Sequence, residues 1–284
     1  MARPHNKNYD LFATHAWYIP GMGELLILLA LLVLGGLLGS GLTQLMRLFY
    51  SPATVLEYGT LVSYPAMFIP PFIYVGLKSR NASAFGESVP LDSDNWGPGK
   101  ALLALGVILA TVALGYMSDA LNSLLPPMPQ WLKDALELVT QGNFWLNFLC
   151  VSIMAPLFEE WLCRGIVLRG LLHHTRKDGT VLKPAAAIAL SAAFFALIHL
   201  NPWQALPAFI LGCLFGLVYW KTGSLKLTML MHFTNNTVSL VLANVESFQD
   251  AETWMDILPA GIYWAGFAVA GVFLYYFVRR VLAR

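Results

Sequence analysis

Residues 24–45 read ELLILLALLVLGGLLGSGLTQL, a run whose one charge, Glu24, stands at its first position. A hydrocarbon core of about 30 Å takes roughly 20 helical residues to cross, because lipid offers no partner to an open backbone N–H or C=O. This run meets that length. Seven more follow it, at Val55–Leu77, Ala101–Leu121, Phe144–Leu172, Pro184–Leu200, Trp203–Trp220, Leu227–Val245 and Ile257–Val278. The predicted fold is all-α, a polytopic integral membrane protein of about eight transmembrane helices. Composition agrees, with 57% hydrophobic and 12% charged residues against roughly 25% charge in soluble domains.

The first run is too long for the core of a signal peptide and no small-residue cleavage pattern follows it, so a retained helix is expected. Residues 129–139 (PQWLKDALELV) read as a short interfacial amphipathic helix, with Trp131, Leu132 and Leu136 towards lipid. Cys150, Cys163 and Cys213 are odd in number and lie in apolar stretches, so no disulfide framework is expected. The net charge of +1, without a long basic or acidic run, excludes nucleic acid as an expected partner. The partners expected are the bilayer and a peptide or membrane-protein substrate. No soluble second domain is evident. The chain divides into N-terminal helices (1–143), a core (144–245) and a C-terminal helix (246–284).

Basic residues gather on the cytoplasmic side of membrane proteins. With both termini cytoplasmic, all 17 basic residues fall on that side except Arg47, Lys133 and Arg164. The acidic residues Glu246, Asp250, Glu252 and Asp256 then face the other side. Asn81 begins a formal sequon, NAS, on the cytoplasmic face, where glycosylation is not expected.

Charge inside a span is costly, about 2.5 to 3.5 kcal/mol per side chain at mid-bilayer, and marks function. Glu159, Glu160 and Arg164 bring three such charges to the fourth span, in APLFEEWLCRG. The i,i+4 spacing pairs Glu160 with Arg164. Glu159, about 100° round the helix, is left without a local partner and reads as a general base. Pro156 removes one backbone hydrogen bond and is expected to kink the helix beside it.

His199 ends the fifth span, while His232 and Asn236 share one face of the seventh. A carboxylate and an imidazole to deprotonate water, with a second imidazole and an amide to hold an oxyanion, are what amide hydrolysis needs. Glu159, His199 and His232 are equally a ligand set for Zn²⁺ with water as a further ligand. Two other classes stay open, a catalytically silent scaffold or immunity protein and a proton or ion transporter using Glu159 and Glu160. Glu24, Glu57, Asp119, His173 and His174 read as structural. One difficulty stands against convergence: at 1.5 Å per residue His199 lies about 22 Å along its span and His232 about 8 Å along its own. Tilt, local thinning, or a hairpin turning at Asn201-Pro202 within the membrane reconciles them.

EEWLCR (Glu159, Glu160, Arg164), FALIH (Phe195, His199) and HFTNN (His232, Asn236) resemble, in this order, the EExxxR, FxxxH and HxxxN motifs of the CAAX protease and bacteriocin-processing (CPBP/Abi) family of intramembrane proteases. That family includes the Ras-converting type of CAAX endopeptidase. The resemblance spans residues 154–240. It implies an intramembrane endopeptidase in which Glu159 and His199 activate water, His232 and Asn236 stabilise the oxyanion, and Glu160 and Arg164 hold the site in shape. Family names include the word metalloprotease, yet the metal-free arrangement is the one expected here. The substrate is expected near the cytoplasmic half of the bilayer.

Overall fold

A computed structural model describes residues 13–84, 87–93, 99–140, 142–175, 178–245, 251 and 253–284. Arg3, Lys7, Arg176, Lys177, Glu246, Asp250 and Glu252, used above to orient the chain, lie outside the described residues. The chain is an all-helical polytopic membrane protein. Its helices are α1 (Met22–Met46), α2 (Pro52–Ala82), α3 (Lys100–Asn122), the short α4 (Gln130–Thr140), α5 (Phe144–His173), α6 (Pro184–Leu197), α7 (Pro202–Thr222), α8 (Leu225–Ala243) and α9 (Ala260–Leu282).

Every expected span is a helix, but two depart from the simple spanning helix. Six are long and apolar enough to cross a bilayer, namely α1, α2, α3, α5, α7 and α9. α8 carries too many polar residues, among them those of the site. α6 stops at Leu197, three residues short of the expected end, and its 14 residues reach only about 21 Å. The chain turns there because Pro202 disfavours helix in the residue before it. Asn201 accepts from the Gln204 N–H at 2.9 Å and donates to the His199 carbonyl at 2.8 Å. Leu200, at φ 56°, takes the left-handed conformation that costs a residue with a side chain about 1 kcal/mol. The chain makes the turn expected at Asn201-Pro202, with α6 ending at Leu197 and α7 beginning at Pro202.

α1 is apolar on all sides, so burial and not amphipathicity defines its inner stripe of Leu25, Leu28, Leu32, Gly35 and Gly39. A Cβ on Gly35 would stand 2.0 Å from the Met67 carbonyl oxygen, and one on Gly39 2.5 Å from that of Ser63. The two glycines therefore let α1 and α2 meet backbone to backbone, as small residues do between membrane helices. One buried cluster joins α1 and α2 to the Trp161–Leu168 stretch of α5; a second lies between α3, α7, α8 and α9.

Two ends of the bundle are distinct. At one, Trp254 N–H donates to Asp119 at 3.0 Å, Trp203 Nε1 to the Pro126 carbonyl at 2.9 Å, and Asn143 Nδ2 to Glu57 at 3.3 Å. At the other, Lys221 donates to the Leu282 carbonyl at 2.7 Å, and Asp92 caps α8 by accepting from Leu225 N–H at 2.7 Å. Asp92 also pairs with Lys226 at 2.9 Å.

One expectation is corrected. Of the α4 residues assigned to lipid, Trp131 is exposed, but Leu132 is buried and Leu136 lines the central cavity. Arg169, at the end of α5, is 1% exposed. Its guanidinium donates to the carbonyls of Gly165 (2.6 Å), Val89 (2.8 Å), Ala16 (3.0 Å), His15 (3.2 Å) and Tyr18 (2.7 Å). A planar fork with five donors is what so many converging carbonyls require.

Candidate active site

α5 is wound loosely on both sides of its carboxylates. Phe148–Met154 and Trp161–Leu168 are π-helical, and only Ala155–Glu160 between them is α-helical. Such turns are rare and gather at functional sites. Proline explains the first of them. Ala155 N–H bonds to the Cys150 carbonyl, five residues back, and in that register the Val151 carbonyl faces the nitrogen of residue 156, a proline with no hydrogen to give. Asn236 Nδ2 donates to that carbonyl instead, at 2.8 Å. The kink expected at Pro156 is thus a change of winding, and it seats Asn236. One amide hydrogen is used on Val151, which leaves the other for the cavity.

Glu160 and Arg164 form the expected i,i+4 pair, at 2.7 Å and with both side chains fully buried. Arg164 also donates to the Gly212 carbonyl at 3.1 Å and lies between the rings of Phe195 and Phe215, 4.7 and 5.2 Å from their centroids. Gly212 leaves room there, since a Cβ would crowd the guanidinium at 3.2 Å and Ala192 on α6 at 3.1 Å. The Glu160 oxygen that binds Arg164 also meets His232 Nδ1 at 3.0 Å. A carboxylate paired with arginine only accepts, so Nδ1 carries the hydrogen. His232 then turns Nε2 towards Glu159, whose Oε2 lies 3.9 Å away, a gap that one water spans.

Glu159 is not without a partner. Its Oε1 accepts from the hydroxyl of Tyr64 on α2, while Oε2 is buried with no hydrogen-bond partner. The motifs held no sign of Tyr64. A tyrosine in mid-span, one residue before Pro65, is a polar group that needs a partner in lipid, and that cost was the available signal.

His199 lies in the turn after α6, two residues past its end. Its Nδ1 bonds to the Phe195 carbonyl at 2.9 Å, which again leaves Nε2 as the free nitrogen. Phe195 joins the two imidazoles: its ring meets His199 edge-on at 5.1 Å and His232 at 5.4 Å. Glu159, His199, His232 and Asn236 all line one cavity of about 1120 Å³, with Tyr64, Phe195 and Asn235. The imidazole in direct reach of the carboxylates is that of His232, whereas His199 sits further along the wall.

A zinc ion needs three or more donors around one point. Among the described residues no three His, Cys, Asp or Glu side chains gather closely enough to hold a metal ion, so Glu159, His199 and His232 do not fit one as placed. Cys150 and Cys163 are buried, and all three cysteines are free thiols.

The cavity draws on both sides of the boundary expected at residue 143, through Tyr64 on α2 and Thr111 to Asn122 on α3. From the carboxylates it runs to the end of the bundle that holds Asp119 and Trp254. Behind the carboxylates, Arg164 lies between the rings of Phe195 and Phe215.

Neither a curated protein nor a solved structure matches the chain. Residues 141–238, which hold all three motifs and their supporting π-helical turns, match the family described as type II CAAX prenyl endopeptidase Rce1-like.

Proposed function

We propose that the chain is an intramembrane endopeptidase that hydrolyses a peptide bond of a membrane-associated peptide or protein. The observation that carries this reading is the gathering of Glu159, His199, His232 and Asn236, from two helices and a turn, on one largely apolar cavity. The family match supports a protease. Glu159 Oε2 takes the proton of the attacking water, with Oε1 fixed by Tyr64, and His199 Nε2 is the second acceptor in the cavity. Asn236 offers its remaining amide hydrogen to the oxyanion. With Nδ1 committed to Glu160, His232 donates to that oxyanion from Nε2 only as the imidazolium; as the neutral ring it accepts there. Glu160 and Arg164 hold His232 in this orientation. The proton taken by Glu159 passes to the leaving amine, which completes the hydrolysis and regenerates the carboxylate.

Glu159→Gln keeps the shape of the side chain and its bond from Tyr64 but cannot take a proton. A general base contributes about 10² to 10⁴ in rate, so purified Glu159→Gln should lose that factor in kcat on a membrane-peptide substrate. Turnover within tenfold of the parent would remove Glu159 from the mechanism and with it this function.

A further inference from the structure

Asn236 can serve an oxyanion only if its carboxamide presents a hydrogen, for the same group turned over presents Oδ1, an acceptor, and repels negative charge. The two ends of a carboxamide have nearly the same shape, so their neighbours decide which atom points where. Val151 is the first such neighbour. Its carbonyl only accepts, so the Asn236 atom bonded to it at 2.8 Å is Nδ2. That choice leaves Oδ1 towards Asn235, whose own Nδ2 donates to it at 3.1 Å.

Adjacent residues of a helix point about 100° apart and do not ordinarily face each other. Asn235 is the member of the pair nearer α3, where Gly115 leaves it room: a Cβ on that glycine would stand 3.7 Å from Asn235 Oδ1. Both asparagines line the cavity, and Asn235 is half-buried. In the HxxxN pattern Asn235 falls on an unspecified position, so the pattern itself gives it no role. The geometry does. A single hydrogen bond leaves a carboxamide free to swing about it, whereas one at each end fixes its plane, and with the plane the direction of the second N–H. Turning the group over would set Oδ1 against the Val151 oxygen and Nδ2 against the Asn235 amide nitrogen. Two repulsive contacts would then stand in a largely apolar wall, where they are poorly screened.

We infer that Asn235 is a positioning residue: it locks the carboxamide of Asn236 with its hydrogens towards Val151 and the cavity, so that Asn236 meets an oxyanion as a donor. The lock rests on the geometry alone, and its bearing on turnover rests on the proposed function.

Asn235→Leu removes the donor at nearly the same volume, and Asn235→Asp keeps the shape but, ionised, sets an acceptor against Oδ1. On a membrane-peptide substrate each should lower kcat by about three- to tenfold, the worth of one hydrogen bond, with KM within about twofold of the parent. In an Asn236→Ala background the same substitutions should alter kcat by less than about twofold, because no carboxamide is left to orient. A second measurement needs no activity. With ¹⁵N-labelled asparagine, the side-chain amide of Asn236 is the resonance pair missing from Asn236→Ala. Its hydrogens should exchange with solvent about three- to tenfold faster in Asn235→Leu than in the parent. If Asn235→Leu folds poorly, Asn235→Asp serves for both measurements.

Equal losses of kcat in the two backgrounds overturn the inference, as does a raised KM with kcat unchanged. An Asn236 amide that exchanges at the parent rate in the variants overturns it as well. A parent without turnover, whose Asn236 amide loosens as expected in the variants, would sink the peptidase reading alone. An active parent whose Asn236 amide is indifferent to Asn235 would sink the lock alone.

Discussion

Two identical residues side by side, Glu159 and Glu160, are given opposite work by their surroundings. Glu160 spends one oxygen on both Arg164 and His232 and is not among the residues that line the cavity. Glu159 gives one oxygen to Tyr64, keeps the other without a hydrogen-bond partner, and lines the cavity. Tyr64 is therefore the residue-scale test of how the base is held, and it lies outside the stretch matched by the family. Tyr64→Phe removes only the hydroxyl. It leaves a buried carboxylate oxygen without its donor, at a cost of about 1 to 3 kcal/mol, and frees the carboxylate to rotate. We expect kcat to fall about tenfold or more with KM within about threefold, a split that mere loosening of the fold would not give. Steady-state kinetics on a membrane-peptide substrate check it, and an unchanged kcat would leave Tyr64 as a packing residue.

At the scale of the element, α5 shows how a missing hydrogen becomes a feature. Pro156 cannot serve the carbonyl of Val151, the turn widens, and Asn236 fills the vacancy from α8. Pro156→Ala returns an N–H to the helix, where it competes with Asn236 for that carbonyl. The helix itself gains a hydrogen bond and a better helix former, worth up to about 3 kcal/mol. The expected outcome is an unusual pairing: thermal stability unchanged or raised, and turnover lowered about tenfold as the amide loses its anchor, less than the 10² to 10³ that outright loss of one oxyanion donor costs. Melting curves and kcat on the same preparation decide it. A stabilised variant at full rate would show that the seat of Asn236 has no part in turnover.

At the scale of the molecule, Arg169 fastens the segment before α1 and the stretch around Val89 to the end of α5 through the carbonyls of His15, Ala16, Tyr18 and Val89. Arg169→Lys keeps the charge but supplies three donors from one point in place of a planar fork. Two or more buried carbonyls are stranded at about 1 to 3 kcal/mol each. For a chain of this size 1 kcal/mol moves Tm by about 2 to 4 °C, so a fall of roughly 5 to 15 °C is expected in detergent. A Tm within 2 °C of the parent would show that water serves these carbonyls instead.

The same whole-molecule view separates what was legible in the chain from what was not. The helices were legible because lipid enforces them: ELLILLALLVLGGLLGSGLTQL has no other way to satisfy its backbone in hydrocarbon. The Glu160–Arg164 pair was legible because i,i+4 contact is set by a single helix. So were the identities of Glu159, His199, His232 and Asn236, because polar groups are costly in a span and each stood out against its apolar neighbours. Tertiary structure decided the rest. Which carboxylate faces Tyr64, which nitrogen of His232 is committed to Glu160, and how a short α6 with a turn at Asn201-Pro202 brings His199 to the wall shared with His232 all depend on contacts between segments 48 to 95 residues apart. A one-dimensional pattern records the cost of a polar residue in lipid but not which distant helix meets that cost, because the partner is chosen by packing.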